Sequence, residues 1–447
     1  MRENGRPDVF ASAPAGAMAL RQPASNGAFK SQRAALASKA NSRARVEEAV
    51  GEQVVDQVVV RLMSLDMLLT VLLQRVYIPL SITLATHLLV AGVLLIRGRL
   101  RISATRLCLY LLFWGVATAV QFFSGNTFSP ESLLLGIVSY ISFLGVVPAA
   151  RETYIAFLRN FQKIAMMVAA LVFMDIALQL AGLGMPTMDA ILPAGMAPPG
   201  MNYIQPTMFK ASLLKPNAFF MMEASYTSQF VALGLIFEIS LFRRWRWLVA
   251  YALALLLTFS GTGLMLVLVC LPILTWRFWR QMLVPALVLL PLLGGIAVAT
   301  GWYEIAARRA ETFDVKNSSA NERFVAPFTT IYDVAASGDL HNILFGFGSG
   351  KTAVQNIVPG ISFDQFNPVS KVFLEYGFFV TVLFMIFATY ITFSTGTLFI
   401  CAYAAYMEYH FMGGYFLLPN IVNYLYLLAA GWEIRPDEQP IRRPSHF

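Results

Sequence analysis

The sequence predicts an all-α, polytopic integral membrane protein of about twelve helices, with two long loops on the non-cytoplasmic side. Three observations predict it. Of 447 residues, 57% are hydrophobic and only 13% are charged, about half the charge fraction of a soluble protein. Long apolar runs recur from about Val76 to about Gly431. Basic clusters fall between those runs in a pattern that assigns each run a direction. A transmembrane barrel would alternate in segments of about ten residues, and no such alternation is visible.

Residues 1–56 are rich in Ala, Ser, Gly and Arg and low in aromatics. They read as a disordered cytoplasmic tail, with an Arg-rich organellar transit peptide as the lesser reading. The transmembrane domain is expected over 57–431. Hydropathy places spans at 76–96, 105–124, 131–149, 164–183, 224–242, 246–260, 262–276, 281–300, 370–393, 396–412 and 414–431. A weaker span, 57–74, contains Arg61 and Asp66. The segments Arg97–Arg106, Ala150–Lys163, Arg243–Arg246 and Arg277–Arg280 are basic and expected to be cytoplasmic, as is the tail 432–447. Parity then requires that 57–74 cross as well. It also requires that 246–276 be two short helices meeting at "SGTG", Ser260–Gly263, on the outer side.

Two long outer segments remain, 184–222 and 301–369, and loops of that length are usually functional or disordered. The second mixes helix-like pieces with glycine turns and reads as folded. It carries Arg308, Arg309, Lys316, Arg323 and Lys351 on the side where few cations are expected. The formal net charge of +8 is therefore assigned to basic cytoplasmic loops and an outer anion site. No nucleic-acid partner is expected.

Several familiar motifs fail. "GFGSGKT", Gly346–Thr352, resembles a phosphate-binding loop, but that pattern needs a glycine where Phe345 stands. "NSS", Asn317–Ser319, fits a glycosylation acceptor that matters only in a secretory lumen. No His or carboxylate cluster has metal-ligand spacing, so no metal or cofactor is expected. No serine or cysteine sits in a nucleophile elbow. Cys108, Cys270 and Cys401 lie far apart in apolar runs and read as buried, inert thiols.

Ionisable residues inside spans are candidates by default. Asp175, Glu238 and His87 read mainly as structural pairs. Glu408 and His410 should lie near the outer surface, level with the long loops. The stretch "LLKPNAFFMMEASYTSQF", Leu213–Phe230, introduces an inward-running helix with Lys215, Pro216 and Glu223. Helix N-termini suit anions, and Lys215 adds a full charge. The stretch reads either as an ordinary cap with an interfacial lysine or as one wall of an outward-facing phosphate site. Arg323 and Lys215, supported by Arg308 or Arg309, are the expected anion contacts. Glu223 leads the candidates for a proton acceptor, ahead of His341 and His410.

Four stretches carry a family resemblance. They are "KPNAFFMMEAS" (Lys215–Ser225), "LTFSGTG" (Leu257–Gly263), "NERFVAPFTTIYDVAASGDLHNILFGFGSG" (Asn321–Gly350) and "NPVSKVFLEYGFF" (Asn367–Phe379). In order and expected sidedness the chain resembles the O-antigen polymerase and ligase superfamily of bacterial inner membranes over roughly 76–431. Ligases of this group have a His before the Asn, and Phe366 stands there, which favours a polymerase. The resemblance implies Asn367 and Glu375 as further substrate-binding positions. It implies a metal-independent glycosyltransferase at the periplasmic face, joining oligosaccharide repeats carried on undecaprenyl pyrophosphate. Lys and Arg would neutralise the pyrophosphate in place of a metal. Membrane lipids, a chain-length regulator and other export proteins are the partners that fit such an enzyme. The alternatives are a ligase that moves finished glycan to an acceptor and, from another class, a transporter or flippase of lipid-linked sugars.

Overall fold

The computed structural model describes residues 55–76, 81–186, 213–276, 319–350, 366–412 and 416–434, with a few more between 188 and 207. All belong to one unit, Val55–Phe447. Residues 1–54 of the expected tail 1–56, the span 281–300, Arg308, Arg309, Lys316 and Lys351 lie outside the described residues.

The described chain is mostly helical. It opens with α1 (Gln57–Leu72) and α2 (Ile82–Ile96). Asp56 starts α1 as an N-cap, accepting from the N–H groups of Val58 and Val59 at 3.1 and 3.3 Å. That satisfies donors a helix leaves open. A two-residue strand β1 (Arg101–Ile102) leads into α3 (Ala104–Phe123) and α4 (Pro130–Tyr140). Next come β2 (Gly145–Ala149), the 30-residue α5 (Arg151–Leu180) and α6 (Ala224–Phe237).

A short helical pair follows, α7 (Trp245–Leu257) and α8 (Gly261–Trp276). Three short helices, α9 (Ser319–Phe324), α10 (Ala326–Ala336) and α11 (Leu340–Phe345), precede α12 (Pro368–Phe393). The described chain closes with α13 (Phe399–Met407), α14 (Pro419–Leu425) and β3 (Trp432–Ile434). The helices at 224, 399 and 419 each end in a π-helical turn, at Glu238–Phe242, Glu408–Met412 and Tyr426–Ala430.

Among the described residues four helices are long and apolar enough to cross a membrane: Ala104–Phe123, Arg151–Leu180, Ala224–Phe242 and Pro368–Phe393. Shorter apolar helices lie at 82–96, 130–144, 245–257 and 261–276. These helices mark a membrane protein. The expected pair of short helices on either side of Ser260 is present, and a helix, α1, covers most of the weak span at 57–74.

Three expectations are corrected. The expected loop Ala150–Lys163 is instead the first half of α5. Its apolar residues recur at helical spacing, and Tyr154, Phe157, Leu158 and Phe161 are all buried, so packing overrides the charge signal. The expected span 131–149 stops as a helix at Leu144, because Val146, Val147 and Pro148 continue as β2. That strand pairs antiparallel with β1 and parallel with β3, and Arg101 bonds Glu433 at 2.7 Å across the sheet. Cys108 is exposed rather than buried, whereas Cys270 and Cys401 are buried.

Two charged side chains inside the bundle are held by partners, as burial favours. Glu238 grips Arg244 at 2.6 and 3.0 Å, which makes Glu238 a structural partner. Arg106 donates to the carbonyls of Ala430, Ile391 and Phe143 at 2.6, 3.3 and 3.4 Å. It thereby staples three chain segments where their helical bonding ends.

Candidate functional site

The first wall of the site is the turn before α6. Ala218 and Phe219 adopt φ of 51° and 62°, a conformation that costs free energy for residues with a side chain. Two buried charges hold it. Asp175 of α5 accepts from the Ala218 N–H at 3.0 Å. Arg75, just past α1, donates to the Phe219 carbonyl at 3.3 Å. Asp175 is thus structural, and Arg75 is a participant that the sequence reading missed. Arg75 lies in a polar edge between two apolar runs, which hydropathy alone cannot distinguish from a loop cation.

Four residues after Phe219, Glu223 takes the N-cap position of α6 with extended backbone, but its side chain does not cap the helix. Instead Oε2 accepts from Ser225 Oγ at 2.9 Å and from Arg323 Nη2 at 3.1 Å. Both ionic side chains are 3% exposed. The Arg323 guanidinium also lies 5.9 Å from the centre of the Tyr226 ring, within cation–π range. The cap reading of Glu223 is therefore replaced by an ion pair between residues 100 positions apart. Lys215 is held differently: its backbone N–H bonds the Gln205 carbonyl at 2.8 Å, and its Nζ lies 3.1 Å from Gln205 Oε1.

The second wall is hydroxyl-rich. Thr262 Oγ1 lies 3.0 Å from Ser228 Oγ and 3.1 Å from Ser260 Oγ, and donates to the Ser225 carbonyl at 3.1 Å. The Gly263 N–H donates to Ser228 Oγ at 3.1 Å. A Cβ at Gly263 would sit 2.3 Å from the Ser228 carbonyl oxygen, so only glycine lets the "SGTG" turn approach α6 this closely. Three of the four sequence stretches thus meet around Glu223.

The fourth forms a separate knot. α12 is broken at Gly377, where φ is 81°, and a Cβ there would lie 2.2 Å from the Leu344 carbonyl oxygen. The Phe347 and Gly348 N–H groups bond the Leu374 and Glu375 carbonyls at 2.7 and 3.1 Å. The Gly346 N–H is taken by Asn342 O at 3.0 Å, and the Ser349 N–H by Gln121 Oε1 at 2.6 Å. Four successive amides in "GFGS" are therefore spent on the protein itself, which excludes a phosphate cradle there. Asn367 caps α12 by accepting from the Ser370 N–H at 2.9 Å. Glu375 is fully buried and its carbonyl bonds Gln121 Nε2 at 3.1 Å. Phe366 packs in a small apolar cluster with Ala326, Val334, Phe373 and Leu374.

The histidines separate. His341 is exposed on α11, with its ring 5.3 Å from that of Phe345. Among the described residues no hydrogen bond joins it to Glu223 or Arg323. His410 is fully buried, its ring 4.1 and 4.7 Å from those of Tyr406 and Tyr409, and among the described residues neither ring nitrogen has a hydrogen-bond partner. It lies in the π-helical turn Glu408–Met412, which neighbours α9 and is tied to α6 through Gln229 Nε2 and the Met412 carbonyl at 2.9 Å. Among the described residues no three His, Cys, Asp or Glu gather where they could hold a metal ion. No family model, curated protein or solved structure matches the chain.

Proposed function

We propose that the chain is a polysaccharide polymerase of bacterial inner membranes, resembling the O-antigen polymerases, with about twelve crossings and its site facing the periplasm. It joins oligosaccharide repeats carried on undecaprenyl pyrophosphate, without a metal. The observation that carries this reading is the buried Glu223–Arg323 pair, set against the hydroxyl ridge of Ser225, Ser228 and Thr262.

In this reading the pyrophosphate anion draws Arg323 into a charge-assisted bond and so releases the Glu223 carboxylate. A hydroxyl of the acceptor repeat attacks the anomeric carbon of the donor chain. The bond from that carbon to the pyrophosphate oxygen breaks, the lipid pyrophosphate leaves with the electron pair, and Glu223 takes the hydroxyl proton. The protein contributes alignment of two substrates and charge stabilisation. Lys215 adds charge nearby, with Arg308 and Arg309 as further anion contacts. Asn367 and Glu375 act by shaping the broken α12. The apolar setting of Phe366 favours polymerase over ligase.

The test is a purified assay with lipid-linked repeats. Wild-type protein should yield a ladder of polymers. Transfer of glycan only to a non-repeat acceptor would assign a ligase, and translocation without bond formation a flippase.

A further inference from the structure

Three helices share one uncovered face at the end of the bundle opposite Glu223. α5 packs against both α1 and α7, and the three run in the same direction. Arg75 past the end of α1 and Asp175 near the end of α5 both reach the turn at Ala218–Phe219. α7 leads to the "SGTG" turn, which meets the start of α6. Two cross-links fix their relative height. Asn160 Nδ2 of α5 donates to Ser64 Oγ of α1 at 3.1 Å, and the Tyr251 hydroxyl of α7 donates to Gln162 Oε1 of α5 at 2.7 Å. At about 100° per residue, Arg159 and Lys163 fall in the arc of α5 between Asn160 and Gln162, and both are exposed. Arg61, three residues before Ser64, and Arg246, five before Tyr251, turn to the same side by the same geometry and are exposed too. Measured from the cross-links, the four cations span about six residues of rise, about 9 Å.

Beyond the cations each helix continues the stripe with apolar side chains: Leu65 on α1, Met167 and Met174 on α5, Val249 and Leu253 on α7. From Ile164 to Leu178 the only charge in α5 is Asp175, so Arg159 and Lys163 stand where the hydrocarbon layer ends. The exposed Trp245 beside Arg246 marks the same level, since tryptophan favours the headgroup layer. Other cations at this end are answered by carboxylates: Arg99 by Asp56, Arg101 by Glu433 and Arg244 by Glu238. Among the described residues no carboxylate pairs with Arg61, Arg159, Lys163 or Arg246; Lys163 Nζ donates to Asn160 Oδ1 at 3.3 Å. Glu152, on the same stripe of α5, starts about 10 Å below Arg159.

We propose that this face binds one phospholipid that carries two phosphates, drawn from the surrounding leaflet. Helix axes in contact lie about 8–10 Å apart, so cations on three helices are spread too widely for a single phosphate, and a bridged pair fits them. Arg159 and Lys163 hold the middle of the headgroup by charge-assisted bonds, with Arg61 on one flank and Arg246 on the other. The acyl chains lie along Met167, Met174 and Leu253. Basic pockets between transmembrane helices take headgroups of this kind. The site is at the opposite end of the bundle from Glu223 and Arg323, and it stands independently of the sugar chemistry.

The test is native mass spectrometry of the purified full chain with cardiolipin or phosphatidylglycerol added to the micelle. Cardiolipin should bind at least about tenfold more tightly than phosphatidylglycerol. Arg159→Gln combined with Lys163→Gln should weaken cardiolipin binding at least about tenfold, and so should Arg61→Gln combined with Arg246→Gln on the flanking helices. Arg97→Gln, which removes an exposed cation at the end of α2, should leave it unchanged. All these side chains are exposed, so melting temperatures in lipid-free micelles should stay at the wild-type value, and a loss of binding is then not a loss of fold. Equal affinity for the two lipids, wild-type cardiolipin binding by both double variants, or equal weakening by Arg97→Gln would overturn the proposal. Displacement of cardiolipin by inorganic pyrophosphate would overturn it as well, by making this a site for a soluble anion.

Discussion

At the residue scale the sharpest expectation concerns Arg323. Removing one partner of a buried ion pair leaves the other charge unpaired and costs about 3–5 kcal/mol. Arg323→Ala should therefore lower thermal stability and, at matched folded concentration, abolish polymer formation. Arg323→Lys should keep more stability yet remain impaired, because a point charge replaces a planar fork. Thermal melts and product ladders on the two variants check both. Glu223→Gln can still accept from Ser225 and Arg323, so the pocket should keep its shape while losing its proton acceptor. Its polymerisation rate should fall by about 10²- to 10⁴-fold with lipid-linked substrate still bound. His341 is exposed and unconnected to the pair, so His341→Ala should stay near the wild-type rate. Wild-type turnover by Glu223→Gln, measured on purified protein, would reduce Glu223 to a holder of Arg323.

At the element scale the close approaches are made by glycines. Gly263→Ala must push the "SGTG" turn off α6, since its Cβ would meet the Ser228 carbonyl at 2.3 Å. Gly377→Ala meets both the Leu344 carbonyl and a left-handed φ of 81°. Each should destabilise by about 1–3 kcal/mol, and Gly377→Ala should also loosen the loop at Gly346–Ser349; differential scanning calorimetry and hydrogen exchange would measure the two effects. Most helices were legible because apolar runs are long and their ends carry Pro, Asn or Gly. The π-helical turns were not, because a run such as "AAYMEYHFM", buried on nearly every side, has no one-sided periodicity for an extra residue to break. Nor was the length of α5: Arg159 and Lys163 are exposed, while the buried stripe beside them is mostly aromatic. The pairing of Glu223 with Arg323 joins residues 100 apart, and local spacing holds no record of such a partner. Only the shared side assigned to both segments pointed there.

At the scale of the whole molecule, the expected topology places 184–222 and 301–369 together on one side. Glu223, the "SGTG" turn and Arg323 meet at helix ends, and the proposed topology assigns all three to the outer surface. A cysteine introduced at Ser318, after replacement of Cys108, Cys270 and Cys401, should react with an impermeant thiol reagent in intact spheroplasts. Labelling only after lysis would remove the topology and the chemistry with it. The central claim is that a buried arginine–carboxylate pair catalyses glycan polymerisation on a lipid pyrophosphate. It is tested most directly by incubating purified wild-type and Arg323→Ala proteins with undecaprenyl-pyrophosphate-linked repeats extracted from cells that carry this protein, and separating the products by size. The account predicts a ladder of polymer from the wild type and unextended repeat from the folded variant. Equal ladders from both, or no polymer from the wild type, would contradict it.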